Sequence, residues 1–290
     1  MVIRLLFFFV PFFLFAVPNP PERKSQAPTI SGDAFREYAD YVFDELDSSL
    51  HPLYVKPNKT IFVKTDMLDL FFKNIHPYIP CKYILITHNS DLPSPGEFHE
   101  YLNDNKLIAW FGQNYDGFHH PKMHPIPIGI ANFCWPHGNA EILKMAKEKS
   151  LHKIHLAYLN FALNSYYQER WSVYKYFIHA PYCYHPGLRG YDQFLSDLVS
   201  SKFCVSPRGN GLDTHRIWES IYLGTIPIVK SSSLDGLYSD LPILIVPTWK
   251  IVTQKFLEQK YEEMQVKQYN LEKLSMDYWI KLIDSYKQEK

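Results

Sequence analysis

The stretch Lys202-Phe203-Cys204-Val205-Ser206-Pro207-Arg208-Gly209-Asn210-Gly211-Leu212-Asp213-Thr214-His215-Arg216-Ile217-Trp218-Glu219 decides how the rest of the chain is read. Lys202 to Val205 is an apolar run of strand length. From Thr214 to Leu223 the apolar residues Ile217, Trp218 and Ile221 fall on one helical face. The order is strand, glycine loop, helix. Gly209 and Gly211 let the backbone bend and let a ligand come close to its amides, and Asp213 stands where an N-cap is expected. A helix start presents unpaired amides and the positive end of a dipole, which favours an anion. Arg208 in the loop and Arg216 in the first turn add planar donors that match phosphate oxygens. Glu219 lies three residues beyond Arg216 on the same side of the helix, and its carboxylate suits vicinal sugar hydroxyls. A phosphate clamp beside a hydroxyl acceptor fits a nucleotide sugar. The same residues also fit a plainer reading, in which Arg216 and Glu219 are a surface ion pair and the glycines only close a turn.

Beyond the helix, Gly224-Thr225-Ile226-Pro227-Ile228-Val229 supplies a helix stop and a second buried strand, and Lys230-Ser231-Ser232-Ser233 forms a polar loop at that strand's carboxyl end. In open α/β sheets, ligands sit at such strand ends. Phe203 to Ser206, Arg208-Gly209-Asn210-Gly211, Arg216, Trp218-Glu219-Ser220 and Leu223-Gly224-Thr225-Ile226-Pro227-Ile228 together resemble the donor-binding signature of exostosin-like glycosyltransferases. Ser220 stands where that family usually has alanine. The resemblance is specific over about fifty residues, roughly 201–249, and upstream it extends only to the general layout of a two-lobed transferase. It implies a GT-B fold of two Rossmann-like lobes facing a cleft, an N-terminal lobe presenting the acceptor and a C-terminal lobe holding the donor. It further implies a final helix that crosses back to the first lobe. The implied donor-binding residues are Ser206, Arg208, Gly209, Asn210, Gly211, Arg216 and Glu219, with Arg170 as a further cation able to reach the diphosphate.

The chain has 290 residues, with 30 basic and 30 acidic side chains and a formal net charge of +0. That balance excludes a basic nucleic-acid surface and leaves any anion site to be local. Leu5 to Val17 is uniformly apolar, follows Arg4 and ends before Pro18-Asn19-Pro20-Pro21. Thirteen residues fall short of the roughly 20 that span a bilayer, so a signal peptide is expected over 1–17, with a short retained anchor as the rival and the only membrane link. Pro11 interrupts the run and weakens both. Residues 18–30 are proline-rich and polar and read as a linker. The sequon Asn58-Lys59-Thr60 agrees with a secretory address, the Golgi lumen in a eukaryote and an exported or membrane-associated one otherwise. Cys81, Cys134, Cys183 and Cys204 show no metal spacing, and free thiols are favoured over disulfides.

The first lobe is placed at 31–150 and the second at 151–290. Phe35, Tyr38, Ala39, Val42, Phe43 and Leu46 have helical spacing, which predicts an opening helix. Short apolar runs at 60–64, 82–87, 106–111 and 125–130 predict a parallel sheet buried on both faces. Polar residues follow three of these strands. A transfer that inverts the anomeric carbon needs a base for the acceptor hydroxyl, and Asp91, His88 and Asp116 are the candidates in that order. Each also fits a turn or packing role. His119, His120 and His124 lack companion cysteines or carboxylates, so no metal and no cofactor is assigned.

Residues 140–149 and 168–178 read as helices, 154–159 and 242–246 as strands, and 182–191 as an irregular lip over the cleft. Leu271, Leu274, Tyr278, Leu282, Ile283 and Tyr286 mark a closing helix. No Asp-x-Asp triplet occurs, so the positive charge facing a departing diphosphate must come from arginines and helix amides. Two functions follow as expectations. One is metal-independent transfer of a sugar, from a UDP-linked donor, to a glycan or glycosylated protein acceptor. The other is a non-catalytic lumenal protein that binds a nucleotide or glycan as partner to an active transferase.

Overall fold

In a computed structural model, residues 23–149 and 152–288 are described; the leader expected over 1–17 lies outside them. The chain is α/β with two five-stranded, all-parallel sheets. The first contains β1 (Tyr41–Phe43), β2 (Lys59–Lys64), β3 (Tyr83–His88), β4 (Leu107–Gly112) and β5 (Met123–Pro125), ordered β1-β2-β3-β4-β5. The second contains β6 (His155–Tyr158), β7 (Cys183–Tyr184), β8 (Ser201–Val205), β9 (Ile226–Lys230) and β10 (Leu244–Val246), ordered β10-β9-β8-β6-β7. The helices are α1 (Gly32–Tyr38), α2 (Leu68–Asn74), α3 (Ala140–Glu148), α4 (Tyr167–Phe177), α5 (Tyr191–Val199), α6 (His215–Tyr222), α7 (Asp235–Tyr238), α8 (Gln254–Gln265) and α9 (Met276–Lys287). Every residue of β3 is buried, as expected of a parallel strand covered on both faces. Among the described residues no helix is long and apolar enough to cross a membrane.

The second sheet reverses direction between β6 and β8, because β7 lies on one side of β6 and the chain then returns to the other. A crevice opens at the carboxyl ends of two such strands, since the loops leaving them run to opposite sides. The deciding stretch of sequence supplies half of it: β8 ends at Val205, the glycine loop follows and α6 starts at His215.

Several expectations need correction. The helical stripe predicted from Phe35 to Leu46 stops at Tyr38, and Tyr41–Phe43 is an edge strand paired with Ile61–Val63. Asp40 makes the break by accepting from the amide and hydroxyl of Thr60, so that pairing overrides the local periodicity. Of the strand expected at 125–130, only Pro125 belongs to β5; beyond it the chain crosses toward the second lobe. The described part of the expected linker is tied into the fold: Gln26 bonds to Ala131 and Ala140, and Ile30 is fully buried. The lip at 182–191 contains the short strand β7 and runs directly into α5. All four cysteines are free thiols.

The lobes share one core. Ile217, Trp218 and Ile221 of α6 and Leu237 and Tyr238 of α7 belong to the same buried cluster as β2, β3 and β4, together with Met276, Trp279 and Ile283 of α9. The closing helix does cross to the first sheet, where it contacts α1 and β4 and where Tyr38 donates to Asp284 at 2.6 Å. Asp213 sits at the centre of this joint. The N-cap of α6 is Thr214, not Asp213 as the sequence suggested; the Asp213 carboxylate instead accepts from the amides of Ile128 and Thr214, from the Trp218 indole and from the Tyr238 hydroxyl. Burial pushes its pKa up to about 6, and these donors hold it there, still mainly ionised at neutral pH.

Removing this acceptor strands several buried donors at once. Asp213→Ala is expected to destabilise the protein by about 4 kcal/mol in urea unfolding, against less than about 1 kcal/mol for the exposed Asp66→Ala.

Candidate active site

Arg216 leaves the first turn of α6 toward the crevice between β6 and β8. Its guanidinium lies 5.8 Å from the Phe161 ring, in the loop after β6, and 5.7 Å from the Phe194 ring on α5. No carboxylate lies within ion-pair distance of it among the described residues, and its Nε is buried without a hydrogen-bond partner. The hydroxyl of Thr214, two residues earlier at the helix cap, is likewise buried and unpartnered. Buried polar atoms without partners are uncommon in native folds, and two of them at one helix start mark a place for an outside acceptor and donor.

Arg170 on α4 is buried and straps the crevice together, donating through Nε to the Arg208 carbonyl at 2.8 Å and through Nη1 to the Ala162 carbonyl at 2.8 Å. Its Nη2 lies 3.3 Å from where a Cβ on Gly209 would stand, so glycine here leaves this guanidinium edge uncovered. Burial, and then the like charge of Arg216, pull its pKa down to about 10, leaving it protonated at neutral pH. Two cations thus face one crevice, and among the described residues neither is in ion-pair contact with a carboxylate. Glu219, 3% exposed, accepts from the Tyr191 hydroxyl at 3.2 Å and forms no ion pair with Arg216, which removes the surface-pair reading. Burial raises its pKa to about 7, while Arg216 and the Tyr191 bond oppose that rise.

The remaining residues of the loop divide between two duties. Ser206 is buried, donates to the Cys204 carbonyl and lines a small cavity of about 190 Å³ at the carboxyl ends of β8 and β9, together with Arg208, Lys230 and Ser231. Arg208 folds back over its own loop, donating to the carbonyls of Gly209 and Asn210, with its guanidinium 4.0 Å above the Tyr166 ring. Asn210 spans the lobes, accepting from the Tyr166 amide and donating to Asp91 at 3.3 Å. At Gly211 a Cβ would meet the Asn114 amide nitrogen at 2.6 Å, so this glycine permits close approach of the first lobe.

Facing this crevice across the start of α6 is a larger cleft of about 640 Å³. It is walled by the carboxyl ends of β2, β3 and β4 through Lys64, His88, Asn89, Asp91 and Gln113, and by His215 from the second lobe. The structure brings Asp91 and His88 to it and leaves Asp116 out. Asp116 instead accepts from the amides of Gly96 and Phe118, so both its oxygens hold a turn. His88 is buried, with Nε2 donating to the Pro127 carbonyl and Nδ1 accepting the Asn89 amide. Both nitrogens are occupied, and burial lowers the pKa to about 4, so His88 holds the cleft floor as a neutral ring.

His215 has the opposite arrangement. Its Nδ1 donates to the Gly129 carbonyl at 2.9 Å, which fixes the tautomer and leaves Nε2 as a lone-pair acceptor at the cleft wall. Burial, with the like charges of His137 and Arg216, lowers its pKa to about 4, against the opposing effects of the Gly129 bond and Asp91. Sequence reasoning passed over this residue, although its place beside Arg216 at a helix start was a usable signal. Among the described residues no three His, Cys, Asp or Glu side chains converge as a metal site would require.

Histidine-resolved NMR titration should find His215 in the Nδ1-protonated tautomer with a midpoint near pH 4. Arg216→Ala should raise that midpoint by removing a like charge, and Asp91→Asn should lower it. Neither protein-family models nor curated proteins give a match to this chain, so its chemistry is argued from this geometry.

Proposed function

We propose that the protein is a glycosyltransferase of GT-B architecture that moves a sugar from a nucleotide-linked donor, a UDP sugar by the resemblance noted above, to a glycan or glycosylated acceptor. The observation that carries this reading is the pair of buried, unpartnered polar atoms, Arg216 Nε and Thr214 Oγ1, beside Arg170 at the β6–β8 crevice. Diphosphate oxygens would supply the missing acceptors, and the start of α6 adds its dipole. Glu219 and Ser206 would hold hydroxyls of the donor.

His215 and Arg216 are consecutive, so their side chains leave α6 about 100° apart. One faces the large cleft and the other the crevice. In this reading the acceptor approaches from the cleft side of the start of α6 and the diphosphate lies on its crevice side, with the anomeric carbon in line between them. The acceptor oxygen bonds to the anomeric carbon from one side, and the bond from that carbon to the diphosphate breaks on the other, its electron pair leaving with the diphosphate. The acceptor proton passes to His215 Nε2, or to Asp91 beside it. The arginines stabilise the charge as it develops on the leaving group. The route inverts the anomeric carbon and draws its positive charge from the protein. A secretory address, by the leader and sequon, is part of the same proposal.

In a thermal-shift series, UDP or a UDP sugar should raise the melting temperature, and Arg216→Ala should weaken that ligand at least about tenfold by removing a charge-assisted contact. His215→Gln should retain the shift while lowering turnover about a hundredfold or more. The absence of a shift with uridine, guanosine and cytidine nucleotides alike would overturn the reading.

A further inference from the structure

The walls of the large cleft bear on the acceptor, and this step rests on the transferase reading above. Its charged lining consists of Arg23 and Lys64 against Glu45, Asp66 and Asp91, two cations to three carboxylates. Both cations are paired with carboxylates: Arg23 with Asp33 and Glu45, its Nε alone buried without a partner, and Lys64 3.5 Å from Glu45. Asp66 makes no ion pair among the described residues, and Asp91 takes only the Asn210 amide. A sulfate, phosphate or uronate entering here would meet more carboxylates than cations, with both cations already in ion pairs, an unfavourable exchange for its hydration.

The uncharged lining has a different character. Trp135, 58% exposed, lines the cleft, with the His137 ring stacked 6.3 Å from it at an interplanar angle of 27°. An exposed indole beside a polar cleft suits the apolar face of a sugar ring. Gln113 accepts the Asn89 amide through Oε1, which orients its Nε2 as a donor at the wall. Aromatic platform, carboxamide donor and free carboxylate acceptors match a ring carrying hydroxyls on its edge and C–H groups on its face.

We propose that this cleft is an acceptor subsite for an uncharged sugar ring, seated on Trp135 and hydrogen-bonded at its edge by Gln113 and Asp66. The structure thereby assigns neutral rather than sulfated, phosphorylated or uronate-bearing glycans as the acceptor class.

Saturation-transfer NMR on the full chain with lactose, N-acetyllactosamine and cellobiose, against sialyllactose and a sulfated heparin disaccharide, tests this. At least one neutral disaccharide should give transfer that survives 0.5 M salt, because no ion pair is involved, and that drops at least about fivefold in Trp135→Ala. Trp135 is exposed, so the variant should fold; an unchanged melting temperature and an unchanged UDP shift verify it. Binding confined to the anionic glycans, binding that salt abolishes, binding indifferent to Trp135→Ala, or no binding by any of the five would each overturn the assignment. A retained UDP shift alongside any of these would leave the donor reading standing, whereas loss of the UDP shift with neutral-sugar binding intact would remove the donor reading and keep the subsite.

Discussion

The carboxylate of Asp213 is the constraint on which the arrangement depends. A buried charge is costly unless nearly every lone pair finds a donor, and here the donors come from both lobes and from two helices. Ile128 belongs to the crossing segment after β5, Trp218 to α6 and Tyr238 to α7. Satisfying one side chain therefore fixes the first lobe, the start of α6 and the α7 turn in a single geometry. Next along the chain, Thr214, His215 and Arg216 take their directions from that fixed point.

This explains how adjacent residues serve two chambers. A loop able to shift would let Arg216 fall onto Glu219 and neutralise itself, since the two are spaced to meet on a helix. Instead Glu219 is held by Tyr191 and Arg216 by two aromatic faces, so the guanidinium stays out of ion-pair contact with it. Arg170 is kept similarly, spending Nε and Nη1 on backbone carbonyls and presenting Nη2. Charge placed this way is ready before any ligand arrives.

Much of the fold was legible because parallel strands write themselves as short apolar runs: β2, β3, β4, β6, β8 and β9 were each found within a residue or two. β1 was not, because Tyr41, Val42 and Phe43 extend a helical stripe and only the Asp40–Thr60 contact, twenty residues away, decides otherwise. The crevice was legible through Arg216, Glu219 and Ser206, whose positions follow from one strand–loop–helix unit. The large cleft was less so. Asp91 could be named from its strand end, but Asp116 has the same local context and lies elsewhere, and the difference between them is tertiary. The close packing at Gly211 is equally tertiary: what fills the space beside it is Asn114, almost a hundred positions earlier.

Thr29 bridges to Ser275 and the Pro28 carbonyl takes the Met276 amide, so the beginning and end of the described chain are stitched together behind the first sheet. With α9 lying across that sheet and α6 sunk into the common interior, the two halves are braced rather than hinged. A molecule entering either chamber meets walls already standing, and little of its interaction energy is diverted to drawing them together.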